Sequence, residues 1–164
     1  LANDLGNLAQ RVLSMIGKNC DAKVPHHGAL AEADEKLLGS ARGLLEATRP
    51  LMTAQLFHKA LETIWQVIGD GNRYVDEQAP WALRKTDPDR MNTVLYVLAE
   101  TIRHLALIVQ PVMPGAAGRI LDQLSVDVSD RGFENFGAER ALEAGTALPK
   151  PEGGFPRFVD EPAA

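Results

Sequence analysis

The sequence predicts an all-α fold, a bundle of about five helices followed by an extended C-terminal tail. Three observations carry that prediction. Apolar residues recur at steps of three and four along five segments. No segment alternates apolar and polar residues as a half-buried strand would. Only 5% of residues are aromatic while 45% are hydrophobic, so the core must be built from Leu, Ile, Val and Ala, which suits packed helices better than a β-sandwich. A chain of 164 residues is long enough for one domain with its own core.

Residues 1–18 read as the first helix. Leu1, Leu5, Leu8, Val12 and Ile16 fall within a narrow arc at about 100° per residue. Asn3, Asn7, Arg11, Ser14 and Lys18 share the other side, and Gly17 and Asn19 are stop signals. The stretch from Cys20 to Ala29, with Pro25 and Gly28, reads as a loop. A second helix covers roughly 31–47, with Leu37, Leu38, Ala41, Leu44 and Leu45 inward.

A third covers roughly 53–68, with Phe57, Leu61, Ile64, Trp65 and Ile68 as its inward stripe, so Trp65 is read as core. Gly69 and Gly71 weaken its end, and the pattern resumes briefly through Arg73–Val75. Pro80 and Trp81 stand in a connection. Asp87-Pro88 starts the fourth helix, with Asp as N-cap and Pro at the first helical position. Met91, Val94, Leu95, Leu98, Ile102, Leu105, Ala106 and Val109 form its stripe, and Pro111 stops it. A shorter helix over 114–124 completes the count. Segment 138–145 has room for a helical turn or two, and 146–164, with four prolines, is an extended tail. The expected domain is therefore 1–145, with the tail at 146–164.

The net charge of −5 argues against a general nucleic-acid sponge. Its distribution matters more. Residues 122–164 hold nine acids against four bases, while residues 1–121 carry thirteen of each sign. A neutral body can bear a local RNA-binding face. The single cysteine excludes an internal disulfide and fits a reducing cytosol. No uninterrupted apolar run approaches the roughly 20 residues that span a bilayer, so a membrane is not an expected partner; nor is DNA. The N-terminus begins inside an amphipathic pattern without a cap, which reads as the cut edge of a fragment.

Catalytic material is poor. No glycine-rich phosphate loop, Ser-centred elbow or metal-spaced Cys/His set occurs. Cys20, His26 and His27 are close in sequence, but one Cys and two His in a loop are more simply read as exposed loop residues than as a zinc site. Glu100 and His104 lie one turn apart and read as a solvated helical pair. His58 has no assignable role, and Tyr74 is expected to anchor the bend after the third helix.

Four stretches carry a resemblance. They are Asn3-Asp4-Leu5-Gly6-Asn7-Leu8-Ala9-Gln10-Arg11, Asn72-Arg73-Tyr74 followed by Gln78-Ala79-Pro80-Trp81, Ile108-Val109-Gln110-Pro111-Val112-Met113-Pro114, and Phe155-Pro156-Arg157. In this order they resemble the C-terminal anticodon-binding domain of methionyl-tRNA synthetases, closely over 1–114, loosely over the tail and least over 125–150. The resemblance implies recognition of the CAU anticodon of methionine tRNAs, with Asn7 and Arg11 as base readers, Asn3 as a supporting contact and Trp81, preceded by Pro80, as the stacking platform.

Physics makes those roles sensible. Splayed bases in a single-stranded loop offer π-faces and free edges, an Asn amide both donates and accepts, and the Arg fork suits a base edge or a phosphate. Asn3, Asn7 and Arg11 stand four residues apart, in one row, and the reading requires Trp81 to share a face with them. Without the resemblance, Asn and Arg opposite a Leu stripe are ordinarily just solvated, and a lone Trp is ordinarily packed.

The same resemblance implies that ATP, methionine and any zinc belong to a catalytic domain of the same chain lying outside these residues, that this fragment binds no cofactor and turns over no substrate, and that the parent enzyme is cytoplasmic. Two alternatives stand beside it. One is the equivalent domain of an isoleucine, valine, leucine or cysteine synthetase. The other is a helical scaffold for protein partners, which predicts a contiguous exposed apolar patch.

Overall fold

The computed structural model describes residues 2–151, the side chains of 2 and 3 excepted. The side chain of Asn3 and the 155–157 motif therefore lie outside the described residues. Seven α-helices follow one another: α1 (Ala2–Asn19), α2 (Glu32–Arg42), α3 (Leu44–Thr53), α4 (Phe57–Gln78), α5 (Pro80–Thr86), α6 (Pro88–Val109) and α7 (Pro114–Gln123). Three short 3-10 turns lie beyond them, at Val128–Asp130, Phe133–Asn135 and Ala138–Arg140. Among the described residues the only β pairing is one antiparallel bridge, Lys23 to Ala147.

The helix α6 is the axis of the bundle, in contact with all six of the others. Val94, Leu98, Ile102 and Leu105 have no exposed surface. A helix apolar on every side must be surrounded, and this one is long and apolar enough by composition to cross a membrane, yet 94% of that stretch is buried inside the bundle. Asp87 caps it as expected, its Oδ1 accepting from the Arg90 N–H at 3.0 Å.

The five predicted helices all form, with three differences. The second is divided at Gly43, whose N–H still reaches the Gly39 carbonyl at 3.0 Å but whose ψ of −11° turns the axis. The connection at Pro80 is itself the short helix α5. The third helix also runs ten residues past its expected end at Ile68. Gly71 does not stop it because Gly71 is where α1 approaches: a Cβ there would sit 3.0 Å from Leu8 Cδ2. Tertiary packing here overrides local propensity. Leu5, Leu8, Val12 and Ile16 are buried as predicted.

Two expectations need correction. Phe57 opens α4 rather than lying within it, and it is 54% exposed; Trp65 is only half-buried against the core. Glu100 and His104 are fully buried with Arg103 rather than solvated. Arg103 bonds Glu100 through Nε at 3.0 Å and Nη2 at 2.8 Å, and donates onward to the carbonyls of Asn135 (3.1 Å) and Gly137 (3.2 Å). Glu100 Oε2 accepts from the Leu142 N–H at 3.0 Å. A buried charge is tolerable only when paired and hydrogen-bonded, and these pairings clamp segment 133–142 against α6. Farther on, the Val24 N–H donates to the Thr146 carbonyl and the Leu148 N–H to the Ala22 carbonyl, which fixes the start of the tail beside the 20–31 loop.

Candidate nucleic-acid interface

The helix α1 presents Asn7 and Arg11 on its exposed face. With Asp4, Gln10 and Asn72 they line a shallow polar cavity of about 310 Å³. Arg11 Nη2 donates to Asp76 Oδ1 at 2.8 Å, an exposed ion pair joining α1 to the last turn of α4. Asn72 is held by its own helix, its Nδ2 donating to the Ile68 carbonyl at 3.0 Å.

The chain then turns sharply. Ala79 adopts φ 44°, ψ 59°, and its N–H reaches the Val75 carbonyl at 3.0 Å. Left-handed backbone at a residue with a Cβ costs about 1–2 kcal/mol, so the surroundings must hold it. Pro80 is buried at the first position of α5, where its fixed φ suits a helix start. Pro80 thus shapes the turn instead of facing solvent. Trp81 follows, 52% exposed. Arg84 and Lys85, three and four residues on and both exposed, lie on the same side of the helix by spacing.

Behind this turn lies a buried polar cluster. Asp34 is fully buried and accepts from Arg90 Nη1 (2.5 Å), Arg90 Nη2 (2.8 Å), Tyr74 Oη (2.5 Å) and the Ala31 N–H (2.8 Å). Arg90 Nη2 also donates to Gln78 Oε1 at 2.7 Å. Burial pushes the Asp34 carboxyl up, but the hydrogen bonds from Arg90, Tyr74 and Ala31 outweigh it and hold the group below the usual carboxylate range. Burial, then the bond to Asp34, pushes the Tyr74 phenol far above its ordinary value. Tyr74 therefore anchors α4 to the start of α2 as a neutral donor.

The predicted residues are brought together in part. Asn7 and Arg11 share one cavity. Trp81 does not line it and stands beyond the Ala79 turn, five residues after Asp76. The sequence reading gave no site role to Asn72, which it noted only within a motif, and missed Asp76, Arg84, Lys85, Asp34 and Arg90. The helical spacing of Arg84 and Lys85 from Trp81 was legible; the pairing of Asp34 with Arg90, 56 residues apart, carries no local signal.

Elsewhere the chemistry is bland. Among the described residues no three His, Cys, Asp or Glu side chains are placed to hold a metal. Burial, then the Asp21 charge, pushes the Cys20 thiol up to about 11, which is unsuited to a nucleophile. His27 stacks on Tyr96 at 4.3 Å between ring centroids. An apolar groove of about 500 Å³ opens between α3, α4 and the end of α6, lined by Met52, Phe57, Ile64, Ile108, Val112 and Phe133 among others.

Comparison with known proteins identifies the family. The family model described as the anticodon binding domain of methionyl tRNA ligase matches residues 24–164. The chain is 50% identical to the methionine–tRNA ligase of Mesorhizobium japonicum over 164 residues, covering 100% of this chain and 32% of that protein. It is 51% identical to that of Mycobacterium tuberculosis over 162 residues, covering 96% and 31%. The crystal structure of free Mycobacterium tuberculosis methionyl-tRNA synthetase superposes with a TM-score of 0.92 at 50% identity, over 98% of this chain and 33% of that one. The same enzyme in complex with methionyl-adenylate gives 0.92 at 52% identity, over 96% and 31%. The chain spans about a third of the length of these relatives. A match over nearly all of its length, in sequence and in fold alike, places the chain in the family of anticodon-binding domains of methionyl-tRNA ligases.

Proposed function

We propose that this chain reads the CAU anticodon loop of methionine tRNAs and so supports ATP-dependent aminoacylation by a longer parent enzyme in the cytoplasm. The observation that carries the reading is the half-exposed Trp81, set just after the turn that ends α4, five residues beyond Asp76, which ties Arg11 of α1 to that helix. In this reading the indole takes the stack of one splayed base, worth about 1–3 kcal/mol. Asn7 and Arg11 pair with base edges, with Asn3 in support. Pro80 keeps the platform rigid, and Arg84 and Lys85 meet the phosphate backbone. Discrimination is then coupled binding, in which correct anticodon contacts position the acceptor end at a distant catalytic site. ATP, methionine and any zinc bind in that other part of the parent.

The test is a titration, at one fixed low salt concentration, of two short hairpins that differ only in the three anticodon bases. A preference for the CAU hairpin that disappears in Trp81→Ala supports the reading. Equal, weak binding of both hairpins by the unaltered chain overturns it for these residues.

The apolar groove favours an additional role for the same domain. Exposed apolar surface of this kind marks a contact site, and the matched relatives are about three times longer than this chain, so its occupant is the remainder of the parent chain. Val112→Glu should lower the thermal midpoint of a parent-length protein and leave that of the 164-residue chain unchanged. An equal effect on both would remove this role.

A further inference from the structure

We propose that Arg90, locked in place by buried Asp34, is a positioning residue for Trp81, acting through Gln78. The proposal rests on the assignment of Trp81 to base stacking and adds the device that aims it.

The helix carrying Trp81 is only seven residues long, and no side chain caps its start at Ala79. Too short to be stable alone, it takes its orientation from its two ends. Arg90 grips both. On one side its Nη2 donates to Gln78 Oε1 at 2.7 Å, immediately before the left-handed Ala79. On the other its backbone N–H bonds Asp87, the residue that closes α5 and caps α6.

The guanidinium cannot swing away. Both oxygens of Asp34 hold it as a fork, and Asp34 is itself fixed from α4 by Tyr74 and from the start of α2 by Ala31. The cluster is internally satisfied without Gln78, since Asp34 already has four donors. Nη2, which already bonds Asp34, therefore directs a further hydrogen bond at the turn. A half-exposed indole is placed mainly by the backbone that carries it, and a recognition group must be held to within about 0.5 Å by its supporting contacts.

The test is a double-mutant cycle in the 164-residue chain with Gln78→Ala, Trp81→Ala and both together, read by hairpin affinity and thermal midpoint. Losing one charge-assisted hydrogen bond behind the platform should weaken CAU-hairpin binding about tenfold. The hairpin with changed bases should move by no more than about twofold, because its phosphate contacts are untouched. The midpoint should stay where it is, and adding Gln78→Ala to Trp81→Ala should cost nothing further. Arg90→Lys, which keeps the charge but loses the fork, should act in the same direction as Gln78→Ala. Additive losses, or equal losses on both hairpins, would overturn the proposal.

A readout without RNA separates it from the functional reading. In a Trp65→Phe background, Trp81 is the only indole left, and its fluorescence anisotropy should fall in Gln78→Ala. Unchanged anisotropy defeats the positioning role whatever the hairpins do. Lowered anisotropy in a chain that shows no CAU preference upholds the brace and defeats the stacking assignment.

Discussion

Nη2 of Arg11 lies 2.8 Å from Oδ1 of Asp76, so the polar row of α1 is tied to the last turn of α4, five residues before Trp81. The pair is exposed, with side-chain exposures of 42% and 64%, and exposed pairs contribute little to stability. In the proposed reading its consequence lies in recognition. The carboxylate holds the fork in one orientation, and it also repels any RNA phosphate that enters.

Asp76→Asn separates the two effects. The thermal midpoint should move by no more than about 2 °C. Binding of both hairpins should strengthen at low salt because a repulsive charge is gone, while the ratio between CAU and changed loops falls because Arg11 is no longer held. Parallel titrations at two salt concentrations check this. An unchanged ratio would show that Arg11 needs no help from Asp76.

Two glycines of α4 should respond oppositely. A Cβ at Gly71 meets Leu8 Cδ2 at 3.0 Å, whereas one at Gly69 meets nothing within 4 Å. Gly71→Val should destabilise by about 1–3 kcal/mol through overpacking, and the damage should shrink in a Leu8→Ala background. Gly69→Ala should stabilise by about 0.5–1 kcal/mol through helix propensity alone. Urea midpoints of the four variants decide.

Arg84 and Lys85 are assigned to phosphate rather than to bases. Replacing either with Ala should weaken both hairpins alike and reduce the slope of log K against log salt by about one. A loss confined to the CAU hairpin would instead make that residue a base reader.

The buried clusters make stability pH-dependent in a stated direction. Burial holds the His104 imidazole below its ordinary 6.5; the Glu100 charge and backbone carbonyl act upward, and the Arg103 and Arg42 charges act downward. The unfolded chain therefore binds the proton more readily. The stabilising contribution is full above pH 6.5 and is lost as pH falls below it, at up to about 1.4 kcal/mol per pH unit. Asp34, whose folded-state carboxyl is also shifted down from 3.8, adds a second loss below that value. Urea midpoints should decline from neutral pH to mildly acidic pH, and His104→Gln should flatten the upper part of that decline.

Much of this was legible in the chain. The Leu5, Leu8, Val12, Ile16 stripe and the Asp87-Pro88 start are local signals, because period and capping depend on neighbours within a turn or so. The same holds for the placing of Trp81 just after a Pro, and for the row of Asn7 and Arg11. The misread positions share a different cause. Gly71 reads as a breaker until Leu8 is seen against it. Glu100 and His104 read as solvated until Arg103 and the 133–142 segment close over them. Phe57 reads as core until the helix is found to begin there.

By itself, then, the sequence determined the all-α class, the extents of α1, α6 and α7, the family resemblance and the residue types of the proposed interface. All of these follow from short-range periodicity and composition. Only the tertiary structure decided which polar groups are buried together, because Asp34, Tyr74, Gln78 and Arg90 come from three helices and meet through packing. That meeting is what gives the Trp81 turn its support, and burial is what makes their hydrogen bonds strong enough to hold it.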